Sequence, residues 1–363
     1  MADSDTPLIV GAGPTGLAAA LFLRERGIPA RIIDADDAPS VHSKALAVNA
    51  RTLDLLEPAG VTDKMLAAGR AAKAFHLWRP NRKLATIPFG GEPDRFPFML
   101  ILAQSESERL LADAVTQRGL TVERGVSLTD VSTSGGRITA TLSTGETLSP
   151  PYLLGADGAH STVRKTLKRD FPGSSWPESW HLYDVHLKTP LDDASAHAFL
   201  LDEGALFMLR IKADIWRVIG QPGGVLDRLP VGTTAGEIVW ESEFEFSHRI
   251  AKPLCADNVC LAGDAAHIHA PIGGRGMNLG IEDAYVFAAL AAENRLNDYE
   301  RLRRPAIESV VHMIEKMGQV PRGKSLAATL VRKFSGVVPW IVSREKTWLR
   351  NWLLGLDHEV GVE

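Results

Sequence analysis

A glycine-rich turn near the N-terminus is the first segment whose residue types could do chemistry. It follows an apolar run, Leu8 to Val10, and opens a stretch rich in alanine and leucine that is predicted to be a helix. Glycines in a strand–turn–helix unit let the backbone approach a diphosphate, and the helix N-terminus adds free N–H groups and a partial positive charge. The pattern therefore predicts a dinucleotide site formed by Gly11, Gly13, Pro14, Thr15 and Gly16.

An acidic residue closes the next predicted strand. Asp34 follows the apolar pair Ile32 and Ile33, at a place where a carboxylate can accept hydrogen bonds from the ribose diol of a dinucleotide. Because strand, turn, helix and carboxylate occur in the expected order, dinucleotide binding is favoured over a glycine turn with only a structural role. These residues alone do not distinguish FAD from NAD.

Two further aspartates each come shortly after an apolar run. Asp157 follows the run that begins at Leu153, and Asp264, with Gly263 before it, follows the run that begins at Val259. Open α/β sheets place their ligands at the C-terminal ends of the strands, so both carboxylates are expected at a ligand-binding edge. The next segment carries a proline and glycines that would let the backbone pass against a flat ring, before a helix that begins near Met277. Its residues are Pro271, Gly274, Arg275, Gly276, Met277 and Asn278.

These motifs, in this order, resemble the single-component FAD-dependent aromatic hydroxylases, the p-hydroxybenzoate hydroxylase-like family, from about Leu8 to about Pro305. The resemblance implies an α/β fold in which a Rossmann-type FAD-binding domain is interleaved with a mostly antiparallel β-sheet substrate domain and followed by a helical C-terminus. It also implies non-covalent FAD and NAD(P)H as a co-substrate. The implied reaction is O2-dependent hydroxylation of a phenolic or polycyclic aromatic substrate through a C4a-hydroperoxyflavin, in which the flavin, rather than a catalytic side chain, carries the chemistry.

The resemblance assigns roles to individual positions. Asp264 matches the residue that binds the ribityl chain of FAD, and Asp157 matches an aspartate associated with both FAD and NAD(P)H. Weaker matches place Lys44 at the diphosphate, Gln104 beside the flavin and the Val126 backbone at the adenine. The family mostly has Gln where this chain has Arg275, whose charge could stabilise the reduced flavin or simply face solvent.

The alternating pattern from about Ser174 to Arg249 predicts an inserted antiparallel sheet. The expected division is FAD-binding parts at 1–74, 103–173 and 250–300, substrate-domain parts at 75–102 and 174–249, and C-terminal helices at 301–363. Residues of the inserted sheet are expected to line the substrate pocket together with Pro271, namely Tyr183, Phe199, Met208, Arg210 and Trp216. His197 and His269 are possible bases for a phenol, although a lone histidine is more often structural.

The bulk composition excludes several classes of function. The chain has 363 residues and a formal net charge of −4, whereas a protein that follows nucleic-acid phosphates should be basic. The longest apolar runs fall short of the roughly 20 residues that span a bilayer, so no membrane partner is expected. The two cysteines, Cys255 and Cys260, favour a reducing, cytoplasmic location and provide too few ligands for a metal site. Cys260 is expected to be buried in a strand.

Other flavoproteins share parts of this pattern. A flavin-dependent halogenase has the same first motif, but its Trp-x-Trp-x-Ile-Pro pattern is not found in the sequence. A flavin reductase acting on isoprenoid double bonds would need a pocket for a long apolar chain. A non-catalytic flavoprotein that binds and shields an unstable metabolite would carry the same motifs. For the hydroxylase, the expected partners are a small aromatic substrate and O2, and the chain is expected to be a monomer or a homodimer.

Overall fold

The computed structural model describes residues 6–39, 45–221, 223–322 and 337–362. The strands in these ranges are β1 (Leu8–Val10), β2 (Arg31–Asp34), β3 (Ala47–Val48), β4 (Arg70–Ala72), β5 (Ala74–Arg79), β6 (Arg82–Pro88), β7 (Met99–Ile101), β8 (Val122–Arg124), β9 (Leu128–Ser134), β10 (Arg137–Leu142), β11 (Thr147–Leu148), β12 (Leu153–Gly155), β13 (Gly173–Lys188), β14 (Ser195–Leu200), β15 (Ala205–Lys212), β16 (Ile215–Gln221), β17 (Thr234–Ile250), β18 (Cys255–Ala256), β19 (Val259–Leu261) and β20 (His267–Ile268). The helices are α1 (Pro14–Glu25), α2 (Ala50–Leu56), α3 (Thr62–Ala68), α4 (Gln104–Gln117), α5 (Thr162–Thr166), α6 (Arg275–Ala292), α7 (Tyr299–Arg322), α8 (Val337–Arg344) and α9 (Lys346–Leu354).

A six-stranded sheet carries the nucleotide-binding motifs. Its order is β18-β19-β12-β1-β2-β8, and every neighbouring pair is parallel except β18 with β19. Strands β1, β12 and β19 consist of buried residues throughout, as expected for a parallel sheet covered on both faces. Since parallel strands end at the same edge, the segments after β1, β12 and β19 meet there, beside the start of α1.

An eight-stranded sheet forms the second part of the molecule. Its order is β20-β17-β13-β16-β15-β14-β5-β6, and only β14 and β5 are paired in parallel. The predicted fold class, with its mostly antiparallel inserted sheet and helical C-terminus, is thereby confirmed. Strands β5 and β6 come from the segment predicted as the first part of the substrate domain, whereas β7 pairs with β3 and β4 in a small separate sheet. The exact domain boundaries remain a prediction.

The eight-stranded sheet has apolar residues on both faces. One face packs with the main core and includes Trp180 and Phe246. The other face holds a second cluster, which includes Phe199, Met208 and Trp216. Because side chains alternate between the two faces of a strand, neighbouring residues in one strand belong to different cores.

The two cysteines lie opposite each other on β18 and β19. Cys260 is fully buried in its strand, as predicted, and is joined to Cys255 by a disulfide that was not expected from the sequence. Among the described residues, no helix is long and apolar enough to cross a membrane, and no group of three or more His, Cys, Asp or Glu side chains could hold a metal ion.

Candidate flavin and substrate site

The glycine turn after β1 is held by close backbone contacts. Gly11 has a φ of +102°, and a Cβ at this position would overlap the carbonyl group of Ala156. A Cβ at Gly16 would overlap the carbonyl of Gly11, so α1 approaches the strand more closely than any side chain would permit. By contrast, the space beside Gly13 is open, and α1 begins there without a side-chain cap. Its free N–H groups and open space fit a diphosphate.

Asp34 lies beside this turn. Its carboxylate accepts a hydrogen bond from the Ala12 N–H at 2.5 Å and one from the Asp36 N–H at 2.9 Å. Arg124 lies 3.6 Å from the same carboxylate. The Val126 N–H donates to the Asp34 carbonyl at 3.0 Å, which places Val126 next to the strand end as well. The two residues are therefore close together, as a shared adenosine site would require, while Lys44 lies outside the described residues.

Asp157 stabilises the turn that follows β12. One carboxylate oxygen accepts from the Thr162 and Val163 N–H groups, at 2.7 and 3.1 Å, at the start of α5. The Arg164 guanidinium reaches across to the Ala265 carbonyl at 2.8 Å and joins this motif to the next one. The other Asp157 oxygen is buried with no hydrogen-bond partner among the described residues. Asp157 has a structural role here, and direct contact with a cofactor remains a prediction.

The Gly263–Asp264 turn lies against α1 and α6. Gly263 has a φ of +58° and donates its N–H to the buried Asp283 carboxylate at 3.1 Å. Thr15 packs against it so closely that a Cβ on Gly263 would come within 2.7 Å of the threonine hydroxyl. Asp264 is exposed and lines the cavity described below. Its position is suitable for a hydrogen bond to a polar chain of a cofactor.

The segment after Pro271 turns sharply and starts α6 at Arg275, two residues before the predicted start at Met277. Gly273 and Gly274 have φ values of +74° and +64°, and α6, like α1, has no side-chain cap. Asn278 is fully buried and fixes this turn: its amide oxygen accepts from the Asn49 N–H, and its amide nitrogen donates to the Ala47 and Gly274 carbonyls. The helix start is thereby aimed at the cavity.

Arg275 lies in neither of the two positions expected from the sequence. Its side chain is fully buried and faces away from both solvent and the cavity. The guanidinium donates to the Trp352 carbonyl and pairs with Asp357 at 2.8 Å. A carboxylate in the C-terminal segment thus draws the cation away from the site, so stabilisation of a reduced flavin by this charge is not supported.

A single cavity of about 560 Å³ extends from these turns to the eight-stranded sheet. Its first wall contains residues of the predicted cofactor site, namely Gly13, Pro14, Thr15, Gln104, Gly263, Asp264, Pro271, Gly274, Gly276 and Met277. The opposite wall is mostly apolar and aromatic, with Phe75, Trp180, Leu182, Phe207, Leu209, Ile219, Phe244 and Phe246, and includes Arg217. A third part comes from Met317, Leu349, Trp352 and Leu353 near the C-terminus.

Most of the residues predicted from the sequence to line the substrate pocket lie elsewhere. Phe199 and Trp216 are buried in the second core, with Tyr183 packed against it, and none of the three lines the cavity. Arg210 is bound in an ion pair with Asp193. Only Met208 lines the cavity, together with Pro271. The cavity is lined instead by Leu182 and Arg217, the strand neighbours of Tyr183 and Trp216, because both faces of this sheet are apolar and the sequence pattern does not say which one faces the cavity.

The polar group on the cavity side of the sheet was missed. Arg217 is nearly fully buried, and its guanidinium forms two hydrogen bonds with Asp184, at 2.7 and 2.8 Å. The two residues are direct cross-strand partners on β16 and β13, and Trp240 lies under the guanidinium at 5.4 Å. Their opposite charges within otherwise apolar strands could have indicated a buried ion pair in the sequence. That prediction would have required knowledge of which strands pair with each other.

Two histidines that line the cavity, His269 and His197, have lowered pKa values. His269 lines the cavity and donates from Nδ1 to the Ala270 carbonyl at 2.9 Å, and burial beside His267 lowers its pKa to about 3. Burial also lowers the pKa of His197 to about 4, and its ring is held between Trp78 and the Asp192 carbonyl. Neither has the basicity to take a proton from a phenol near neutral pH. His267 Nε2 is hydrogen-bonded to the buried Asp283 carboxylate at 2.6 Å.

Comparison with known proteins agrees with this geometry. A family model described as an FAD binding domain matches residues 5–210 and 228–313. The chain is 34% identical over 309 residues to 6-methylpretetramide 4-monooxygenase from Streptomyces rimosus, covering 79% of this chain and 55% of that protein. It is 32% identical over 332 residues to rifampicin monooxygenase from Rhodococcus hoagii, covering 84% and 69%. It therefore spans between about half and two thirds of the length of these two curated relatives.

The fold also matches a solved structure. The structure of p-nitrophenol 4-monooxygenase from Pseudomonas putida superimposes with a TM-score of 0.84, over 98% of this chain and 99% of that one, at 20% sequence identity. The uncapped starts of α1 and α6, the open space beside Gly13 and the carboxylates of Asp34 and Asp264 are donors and acceptors that fit FAD. The chain belongs to the FAD-binding, p-hydroxybenzoate hydroxylase-like family of flavoprotein monooxygenases.

Proposed function

We propose that this chain hydroxylates an aromatic substrate, using FAD, a reduced nicotinamide and O2. The observation that carries the proposal is one continuous cavity, with cofactor-binding turns on one side and an aromatic sheet face on the other. The reaction balances when NAD(P)H and a proton supply two electrons and two hydrogens. One oxygen atom of O2 then enters an aromatic C–H bond, giving a phenol, and the other leaves as water.

The turns of the six-stranded sheet would hold FAD. The α1 N-terminus at Gly13 would bind the diphosphate, Asp34 the adenosine ribose and Asp264 the ribityl chain, with Gln104 and the α6 start beside the ring system. Bound FAD supplies the electron transfer and oxygen activation that the side chains of this cavity lack. The role of the chain itself is to orient the substrate and keep water out of the cavity.

The sheet side of the cavity supports an aromatic substrate. Trp180, Phe207 and Phe246 provide ring faces, and rings prefer offset or edge-to-face contacts with other rings. Arg217 contributes polar N–H groups, but its charge is matched by Asp184, so a strongly anionic substrate is not favoured. Two relatives are named for 6-methylpretetramide and rifampicin. These names support a phenolic or polycyclic substrate for this chain.

Product analysis with a panel of phenols tests the proposal. The protein is expected to bind one non-covalent FAD per chain, which acid precipitation should release into the supernatant. A substrate should accelerate NADH or NADPH oxidation and yield a hydroxylated product containing one atom from labelled O2. Binding of aromatic compounds without any flavin reduction would support a shielding flavoprotein, and saturation of an isoprenoid double bond without O2 would support a reductase.

Two variants test the cofactor assignment. Asp264→Ala removes a charge-assisted hydrogen bond of about 1.5 to 3 kcal/mol, which corresponds to a roughly ten- to hundredfold weaker binding of FAD. Asp34→Ala should have an effect at least as large, because this carboxylate also accepts from the Ala12 N–H. Equilibrium dialysis of the apo-proteins measures both affinities. Unchanged values in both variants would remove these carboxylates from the site.

A further inference from the structure

The C-terminal segment contributes part of the cavity wall. Leu349, Trp352 and Leu353, all on α9, line the cavity beside Met317 of α7. Trp352 is 2% exposed, whereas Trp348, one turn earlier on the same helix, is 40% exposed. The two indoles therefore have different roles, and the inner one belongs to the site.

Trp352 packs directly on the turn that starts α6. The edge of its six-membered ring occupies the space beside Gly273, where a Cβ would lie 2.5 and 2.7 Å from Cζ3 and Cη2. Only glycine therefore allows the indole edge to approach this turn so closely. The indole N–H is buried without a hydrogen-bond partner among the described residues, so packing rather than hydrogen bonding holds the ring here.

Arg275 holds this tryptophan in place. Its guanidinium lies over the Trp352 ring at 5.4 Å, donates to the Trp352 carbonyl, and pairs with Asp357 at 2.8 Å. One side chain from the start of α6 thus contacts the ring, the backbone and the segment after it. Since Arg275 is fully buried, solvent does not weaken these contacts.

Other contacts fix the same segment to the FAD-binding part. His358 pairs with Glu282 of α6 at 2.7 Å, and Arg51 of α2 donates to the Gly355 and His358 carbonyls. Arg350 instead joins the segment to the 75–102 part of the chain, since it donates to the Phe89 carbonyl at 2.6 Å. These contacts hold the backbone and the end of the segment. Of the side chains that fix it, Arg275 is the one that contacts the ring of Trp352.

We propose that Trp352 determines which substrates the cavity admits, and that Arg275 is its positioning residue. The proposal rests on the proposed function, since it concerns the same cavity. The indole closes the cavity beside the α6 turn and adds an aromatic ring to its wall. A substrate with two or more fused rings would contact this wall over a larger area than a single ring would.

Accessibility of bound FAD tests the proposal without turnover. Acrylamide quenching of the residual FAD fluorescence should increase severalfold in Trp352→Leu and in Arg275→Gln, because the cavity wall opens. Arg275→Lys should lie between Arg275→Gln and the parent, since it keeps the charge but not the planar fork. Trp348→Leu is the matched control on the same helix, and Val310→Ala is a destabilised control in the core of α7 away from the cavity. Both controls should quench like the parent.

Ligand selection provides the second readout. In the parent, 1-hydroxyanthraquinone should perturb the FAD absorption spectrum at lower concentration than phenol, and Trp352→Leu should remove most of that preference. Trp352→Phe keeps an aromatic ring at this position and should therefore keep most of the preference. Quenching in Trp352→Leu equal to that of the parent, with FAD bound normally, would overturn this inference alone. A parent protein that binds no FAD would overturn the proposed function and this inference with it.

Discussion

Two helices direct their N-termini at the cavity, and they are held there in different ways. Helix α1 buries only proline, glycine, alanine, leucine and phenylalanine, and its start depends on glycines that allow backbone contact. Helix α6 buries four polar or charged side chains with no measurable exposure, namely Arg275, Asn278, Glu282 and Asp283. The first helix is positioned by the absence of side chains and the second by the partners of its side chains.

The difference determines what each helix start tolerates. At the start of α1, a methyl group added at Gly11 or Gly16 is enough to displace the turn. The buried side chains of α1 are apolar, so no substitution elsewhere can remove a polar partner from them. At α6, the partners come from Asn49 just before α2, from α7, from the Gly263 turn and from the C-terminal segment, so several distant substitutions can move the same helix start. Buried polar groups are costly when only one partner is removed, which makes α6 the more vulnerable of the two.

Loss of the Asp283 charge should have the largest effect on stability. Its carboxylate accepts from Arg303 at 2.7 Å, from His267 at 2.6 Å and from the Gly263 N–H at 3.1 Å. Asp283→Asn leaves the buried Arg303 guanidinium with Glu282, at 3.3 Å, as its remaining carboxylate partner among the described residues, so we expect a loss of about 3 to 5 kcal/mol in the free energy of unfolding. Urea denaturation measures it. Glu308→Gln, which breaks an exposed ion pair to Arg304, is the control and should cost less than about 1 kcal/mol.

A pair of glycine variants tests how the start of α1 is positioned. Gly11→Ala places a methyl group against the Ala156 carbonyl at a positive φ, and we expect a loss of about 3 kcal/mol in the free energy of unfolding. Gly13→Ala meets open space, so stability should be preserved while the methyl group fills the space assigned to the diphosphate. Denaturation and FAD titration of both proteins separate the two effects. Normal FAD affinity in Gly13→Ala would remove the diphosphate from that position.

Removal of the Asn278 amide tests α6 without a change of charge. Asn278→Ala leaves the Asn49 N–H and two carbonyls without their partner inside the protein, and we expect a loss of about 2 kcal/mol. FAD affinity should fall as well, because the α6 start is no longer fixed to β3. An apo-protein that is less stable but binds FAD like the parent would show that the α6 start does not contribute to the cofactor site.

Helix α1 could be predicted from the sequence because its determinants are local. Gly11, Gly13 and Gly16 occur within one turn, and the space they leave is a property of the backbone itself. The order of the three motifs, the inserted sheet and the helical C-terminus were predictable for a similar reason, since each has its own periodicity. The start of α6 was predicted less accurately, because Arg275 is oriented by Asp357, which lies far along the chain.

The sheet side of the cavity shows more clearly what could not be predicted from the sequence. Tyr183 and Trp216 were expected at the cavity, but their strand neighbours Leu182 and Arg217 are the residues that line it. In a sheet with one polar face, alternation identifies the buried face, and the prediction follows. Here both faces are covered by apolar residues. The sequence therefore shows which residues alternate, but it does not show which of the two faces lines the cavity. The cavity contribution of Trp352 depends in turn on the packing of the C-terminal segment on α6.

The smallest expected effect concerns pH and the contact of α6 with the C-terminal segment. Burial alone would lower the pKa of His358, but hydrogen bonds to Asp357 and Glu282 outweigh it and raise the pKa above its ordinary value. Arg275 faces the same carboxylates and pairs with Asp357 at 2.8 Å. A raised histidine pKa stabilises the folded state fully below the unfolded pKa of about 6.5, and this contribution is lost as pH rises through the folded value.

The melting temperature of the parent should therefore fall relative to His358→Asn as the pH is raised from about 6.5 to 9. The lowered pKa values of His197 and His269 act below this window, since their stabilisation is lost as the pH falls below about 6.5. The alkaline range thus isolates His358. Parallel melting curves for the two proteins across that range would mean that His358 stays neutral between its two carboxylates. Arg275 and Arg51 would then be the charged groups that hold the C-terminal segment on the FAD-binding part.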